Sequence, residues 1–119
     1  MKKLTRKEEE VMKILWRLKR AFVKDIIEEY PDPKPHYNTI SSLVRLLQDK
    51  AIIGYKQYGN TYEYYPLLSK EEYRSSFMKQ IVKDYFDNSH KNVVAFFVKE
   101  KGLSANELEE LLKMIKNRE

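Results

Sequence analysis

The chain has 119 residues, 42% of them hydrophobic and 34% charged, with a formal net charge of +5 and a pI near 9.3. That length suits one compact domain, or a small domain with an oligomerisation extension, and that balance excludes general disorder. The absence of cysteine excludes disulfides, thiol redox sensing and cysteine-based metal sites.

The basic excess is uneven. Residues 1–68 carry 13 Lys/Arg against 9 Asp/Glu, whereas residues 69–119 carry 10 against 9. This is a mild bias toward polyanions in the first part of the chain. No apolar run approaches the roughly 18–20 residues of a membrane span. MKKLTRKEEE has no apolar segment behind its basic residues, so a secretory signal is not expected. The expectation is a cytoplasmic protein without membrane insertion.

Thr5 to Glu8 fits a capping box that opens a helix running to about Lys19. Val11, Ile14, Leu15 and Leu18 form its buried stripe, flanked by Met12 and Trp16. Val23 to Tyr30 predicts a shorter second helix that buries Val23, Ile26 and Ile27. Pro31, Pro33 and Pro35 then impose an extended connector. A third helix starts near His36 or Tyr37 and ends at about Lys50. Ile40, Leu43, Val44 and Leu47 share one of its faces, while Asn38, Ser41, Ser42, Arg45 and Asp49 lie close to the opposite side.

That polar face carries small hydrogen-bonding residues at its N-terminal end instead of the usual Glu/Lys mixture. Such a face approaches a grooved surface closely and still offers donors and acceptors, as a helix in a DNA major groove must. The alternative is a helix packed on a partner protein through its small residues. After Ala51 the period changes. Ile52, Ile53, Tyr55 and Tyr58 precede Gly59-Asn60, and Thr61 to Tyr65 follow, a pattern that predicts a hairpin. Three helices followed by a hairpin is the winged helix-turn-helix order, with one small core in residues 4–68.

Ser69 to Glu72 is a second capping box, opening a helix that carries Tyr73, Phe77, Met78, Ile81, Val82, Tyr85 and Phe86. Asn88 to Asn92 reads as a break. Val93, Val94, Phe96, Phe97 and Val98 form a nearly all-round apolar segment up to Gly102, and Ser104 to Glu107 opens a last helix with Leu108, Leu111, Leu112 and Ile115 on one stripe. Three helices in about 50 residues make a marginal core. The excess apolar load reads as a dimer interface of Phe77, Ile81, Tyr85, Val93, Val94, Phe97, Leu108, Leu111, Leu112 and Ile115. The alternative is a monomer in which residues 69–119 pack back on the first part. The expected fold class is mainly α with a small β-hairpin: a winged helix-turn-helix domain over 1–68 and a helical dimerisation domain over 69–119.

Several stretches resemble the BlaI/MecI, or penicillinase repressor, family of transcription factors. Glu8, Glu10, Val11, Met12, Ile14 and Trp16 resemble its first-helix signature. Thr39-Ile40 to Lys50, followed by Ile52-Ile53, sits where its recognition helix does. Tyr64-Tyr65-Pro66-Leu67 resembles the end of its second wing strand, and Ser104, Glu107, Glu109, Glu110 and Leu111 match its last helix. The resemblance implies a homodimeric DNA-binding repressor of inverted-repeat operators, often upstream of resistance genes. For several members it also implies a membrane-bound sensor metalloprotease whose action leads to cutting in the C-terminal region. The best-known members are cut at an Asn-Phe pair; the matching positions here are Phe96-Phe97. The usual Arg-Leu of the recognition helix is displaced to Arg45-Leu46-Leu47, and Ala51 replaces a usual glycine. The cysteine-rich C-terminus of a copper-responsive branch is absent.

Arg45 is the leading candidate for a base or phosphate contact; the alternative is an i,i+4 pair with Asp49. Asn38 suits adenine, while Thr39, Ser41 and Ser42 suit phosphates or permit close approach. His36 and Tyr37 lie where free backbone N–H groups favour phosphate, or else cap and pack the helix. Lys56, Tyr58, Asn60 and Thr61 on the wing, and Lys34 in the connector, complete the candidate DNA-binding set; the alternatives are an ordinary hairpin turn and a solvated loop lysine. Trp16 reads as core, and most of the nine tyrosines fall at positions that packing explains. His36 and His90 lack partners at metal-ligand spacing, so no metal is expected. No nucleophile–base arrangement, glycine-rich phosphate loop or HExxH pattern appears, so no cofactor or catalytic residue is expected. A winged-helix protein-interaction adaptor without specific DNA binding is the competing functional reading.

Overall fold

Thr5 starts the first helix, α1 (Arg6–Leu18), by a reciprocal cap. Its hydroxyl accepts the Glu8 N–H at 3.2 Å, and the Glu8 carboxylate accepts the Thr5 N–H at 2.9 Å. The structure is a computed structural model that describes residues 3–116, the side chains of Lys101, Leu111, Leu112, Met114, Ile115 and Lys116 excepted. It divides into two compact units, one through Ser76 and one from Phe77.

In the first unit, α1 buries Val11, Met12, Ile14 and Leu15. The second helix, α2 (Val23–Glu28), opens with the Asp25 carboxylate accepting the Phe22 N–H at 3.0 Å. It stops short of the expected Tyr30 because its last turn tightens. The N–H groups of Glu29 and Tyr30 reach the carbonyls of Ile26 and Ile27, and Pro31 follows. The third helix, α3 (Tyr37–Asp49), lays Ile40, Val44 and Leu47 into the core.

The end of α3 is a Schellman turn. The Ile52 N–H reaches the Leu47 carbonyl at 3.0 Å and the Ala51 N–H reaches the Gln48 carbonyl at 2.9 Å. Ile52 and Leu47 are both buried, which is the apolar contact this turn normally carries. The turn needs a left-handed residue at its centre, and Ala51 supplies it with φ of 60°. A glycine would do so without steric cost.

The hairpin joins β1 (Ile53–Tyr58) to β2 (Thr61–Pro66), with Tyr58 paired to Thr61 across Gly59-Asn60. Gly59 takes φ of 60°, as a two-residue hairpin turn requires. A hairpin alone is marginal in water, and here Tyr64 makes a two-way bridge with Ala21 at 2.8 and 2.9 Å. That bridge ties the wing to the link between α1 and α2. Ile53 and Tyr64 complete the core from the sheet side.

The fourth helix, α4 (Lys70–Phe86), opens on the expected box: Ser69 and Glu72 exchange hydrogen bonds at 3.0 Å. The Ser69 N–H, then its hydroxyl, hold the Glu72 carboxyl below its ordinary value. Within the first unit, the Tyr73 ring sits 5.6 Å from Trp16, whose indole N–H donates to the Leu68 carbonyl at 2.9 Å. The Tyr73 hydroxyl donates to Glu9 at 2.7 Å. Burial, then the hydrogen bond and charge of Glu9, push this phenol up to about 12. These contacts tie the start of α4 to the first unit, which runs through Ser76.

The second unit holds the rest of α4, then α5 (His90–Lys101) and α6 (Ala105–Lys116). The expected break over Asn88–Asn92 is shorter. Asp87 and Asn88 turn with positive φ, and Ser89 caps α5 by accepting the Asn92 N–H at 3.1 Å, so His90 to Asn92 are already helical. Gly102, with φ of 68°, ends α5, and Ser104 and Glu107 form the third box at 3.2 and 3.3 Å. Phe86 and Phe96 meet edge to face at 5.6 Å.

Candidate nucleic-acid interface

Packing Ile40, Val44 and Leu47 inward leaves the other side of α3 to solvent. Asn38, Thr39, Ser42, Arg45, Leu46 and Asp49 are exposed, and Ser41 and Gln48 are half-buried at its margin. Toward the wing this face becomes one wall of a cleft of about 770 Å³. Tyr37, Ser41, Arg45, Gln48 and Asp49 line it from α3. Phe22, Val23 and Lys24 line it from the start of α2, and Tyr55, Asn60, Thr61, Tyr62 and Tyr64 from the wing.

The candidate residues therefore fall into groups. Tyr37, Ser41, Arg45, Asn60 and Thr61 converge on the cleft. Asn38, Thr39 and Ser42 stand on the open side of the same helix. His36 is the N-cap of α3 through its backbone: its carbonyl accepts the Thr39 and Ile40 N–H groups, and its side chain makes no capping bond. Lys34 donates to the Glu28 and Tyr30 carbonyls at 2.9 and 2.7 Å, closing the end of α2. Lys56 lies over the Tyr58 ring at 5.3 Å, and strand alternation sets both on the hairpin face opposite Tyr55. The Thr61 hydroxyl donates to the Tyr58 carbonyl at 2.8 Å, so the turn is held from within.

Arg45 and Asp49 form no ion pair among the described residues, although they stand at i,i+4. The arginine charge is felt at Tyr64 instead. Burial, then Tyr37 and Tyr62, push the Tyr64 phenol above its ordinary value, and Arg45 pulls against them. The other end of α3 is pinned by Lys50. Its ammonium donates to both oxygens of Glu8 at 2.9 Å, and Glu8 is 1% exposed. Burial pushes the Glu8 carboxyl up, but the bonds from Lys50 and Thr5 and the lysine charge prevail and hold it below its ordinary value.

Packing does not account for the tyrosines as expected. Tyr37, Tyr55, Tyr58, Tyr62, Tyr65 and Tyr85 are exposed; only Tyr64 and Tyr73 are buried, with Tyr30 between. The register pairs Gln57 with Tyr62 and Tyr55 with Tyr64, so Tyr55, Tyr62 and Tyr64 share one face. That alternation was available in the sequence and identifies two cleft residues, Tyr55 and Tyr62, outside the candidate set. Phe22, Lys24 and Gln48 are also additions. Lys24 stands in the first turn of α2, just beyond the Ala21 bridge to Tyr64, for which no local sequence signal exists.

In the second unit, Phe77, Tyr85, Val94, Phe96 and Phe97 are exposed, and Ile81, Val93 and Leu108 are half-buried. The side chains of Leu111, Leu112 and Ile115 lie outside the described residues. Among the described residues no group of three or more His, Asp or Glu side chains is placed to hold a metal ion, and no helix is long and apolar enough to cross a membrane.

Comparison with known proteins bears on this geometry directly. The family model described as penicillinase repressor matches residues 4–117. The methicillin resistance regulatory protein MecI of Staphylococcus aureus (strain N315) is 31% identical over 105 residues, covering 87% of this chain and 85% of that protein. MecI of Staphylococcus epidermidis gives the same figures, and MecI of Mammaliicoccus sciuri is 32% identical over 107 residues with the same coverage. With a winged helix-turn-helix whose third helix faces solvent, and a match across nearly its whole length, the chain belongs to the penicillinase repressor family and is a DNA-binding transcriptional repressor.

Proposed function

We propose that the chain acts as a homodimer on inverted-repeat operators, each protomer setting α3 into a major groove and occluding a promoter. The observation that carries this reading is the open outward face of α3, with Arg45 free of any ion pair among the described residues and beside a cleft that the wing closes. In it, Arg45, Asn38 and Ser42 meet base edges, while Tyr37, Ser41, Asn60 and Thr61 meet the sugar-phosphate strand running between helix and wing. The apolar side chains exposed on the second unit, Tyr85 at 78% among them, support the homodimer, because two copies bury such surfaces against each other. Half-sites then lie about one helical turn or a multiple apart.

The test is binding of genomic fragments by wild type and Arg45→Ala at two salt concentrations, with sedimentation of the free protein alongside. A dimer whose affinity falls steeply with salt, and which loses about 5- to 150-fold on removal of Arg45, is expected. Absence of competitor-resistant duplex binding in both proteins overturns the reading.

Relief of repression by proteolysis belongs to the same proposal. A membrane-bound sensor metalloprotease leads to a cut at Phe96-Phe97, two exposed rings in the middle of α5. A helix must unwind locally before a protease cleaves it. The check is mass analysis of fragments from cells carrying the chain and its sensor; cutting only outside α5 refutes this site.

A further inference from the structure

The outward face of α3 carries one residue that neither the core nor hydrogen bonding accounts for. Leu46 is 50% exposed, one turn beyond Ser42 and two turns beyond Thr39, both exposed. Its neighbours Leu43 and Leu47 supply the core, and Leu46 is not among the residues that line the cleft. Of the exposed face (Asn38, Thr39, Ser42, Arg45, Leu46, Asp49) it is the only aliphatic member. A major groove offers one apolar feature to such a side chain, the 5-methyl group of thymine.

We infer that Leu46 is a specificity-determining residue that covers a thymine methyl in each half-site, next to the base pair reached by Arg45. This rests on the operator-binding reading above and adds to it which base the open side of α3 selects. The geometry favours the methyl over a phosphate, because an aliphatic side chain has nothing to offer an anion. It favours DNA over a second protein copy, because the residues around Leu46 on that face are polar and carry both charge signs. Burying a group of this size changes affinity by about fourfold for each methyl covered.

The test uses a genomic fragment retained by the full-length protein, resynthesised with uracil in place of thymine at single positions. Uracil keeps the Watson–Crick edge and lacks only the methyl. Wild type is expected to lose about fourfold at one thymine per half-site, and Leu46→Met to keep that sensitivity. Leu46→Ala is expected to bind the thymine and uracil duplexes alike, so that the two losses do not add. Being half-exposed, Leu46 is a position where alanine leaves the fold intact, checked by the melting temperature. Equal binding of thymine and uracil duplexes by wild type overturns the inference, as does uracil sensitivity that persists unchanged in Leu46→Ala. If wild type retains no duplex against competitor, the operator-binding reading itself fails, and the inference falls with it.

Discussion

Replacing Lys50 by methionine removes one ammonium and leaves nearly the same aliphatic volume, so its consequences follow from Glu8. The carboxylate is 1% exposed and takes two bonds of 2.9 Å from Lys50, while its third bond, from the Thr5 N–H, survives the change. Stranding one member of a fully buried pair costs about 3–5 kcal/mol. The lysine side chain is 31% exposed and water screens its half of the pair, so we expect about 2 kcal/mol at pH 7. The pH dependence is the sharper readout. In wild type Glu8 is held below its ordinary value of 4.5, so its contribution is present above about that pH and is lost as pH falls through the lower folded value. In Lys50→Met, burial acts with less opposition and raises the carboxyl. The folded state then favours the neutral acid, and the deficit against wild type shrinks as pH drops toward 4. The companion Glu8→Gln/Lys50→Met keeps a capping residue at that position and removes the stranded charge, restoring most of the loss. Urea unfolding of the full chain at one protein concentration, from pH 4 to 8, measures all three. A deficit below 0.5 kcal/mol, or one independent of pH, refutes the assignment of Glu8 as a buried anion held by Lys50.

Ala51→Gly relieves a left-handed alanine at the centre of the Schellman turn. The strain of about 1–2 kcal/mol exceeds glycine's entropic cost of about 0.5–1, so a melting temperature about 2–5 °C higher is expected by calorimetry. Tyr73→Phe removes the bond to Glu9, costs about 1 kcal/mol in urea unfolding, and removes the tyrosine that titrates near 12 in an ultraviolet titration. Because that phenol is raised, its contribution is complete below about pH 10 and fades as pH rises through 12, so the wild-type advantage should vanish in strong alkali. Lys24→Ala should weaken binding to all duplexes by a similar factor and reduce the salt slope by about one, with the order of preferred sites unchanged.

What the sequence made legible is local. Three capping boxes, the apolar stripes of α1 and α3, the change of period after Ala51 and the Gly59-Asn60 turn each depend on residues within a few positions of one another. All of them appear in the structure. What it hid is distant or single. The Ala21–Tyr64 bridge is one residue deep and has no period, yet it ties the wing to the link before α2. Glu8 and Lys50 are 42 positions apart; the capping box accounts for Glu8 locally, and nothing near either residue points to the other. The polar run Asn88–Asn92 reads as loop by composition, but Ser89 is a cap, and a cap turns polar residues behind it into a first helical turn. For the tyrosines, aromatic content suggested packing, whereas alternation sets Tyr58 and Tyr65 on the sheet face away from buried Tyr64, and Tyr55 and Tyr62, on the same face as Tyr64, line the open cleft.

The balance of charge on α3 decides how affinity and selectivity divide. Its outward face carries one cation, Arg45, and one anion, Asp49, and so contributes almost no net attraction to a phosphate backbone. The long-range pull must come from basic residues around it, in keeping with the excess of Lys/Arg over Asp/Glu in residues 1–68. In the operator-binding reading proposed above, Asp49, on the same face as Arg45, disfavours close approach to phosphate, and α3 is held to duplex mainly where the bases match. The helix is held along its inner face by Ile40, Val44 and Leu47 and at its C-terminal end by Lys50 on Glu8. In that reading a helix already packed and pinned has little ordering left to do on binding, and mismatched bases meet a surface already in place. A helix of this kind discriminates more than it attracts.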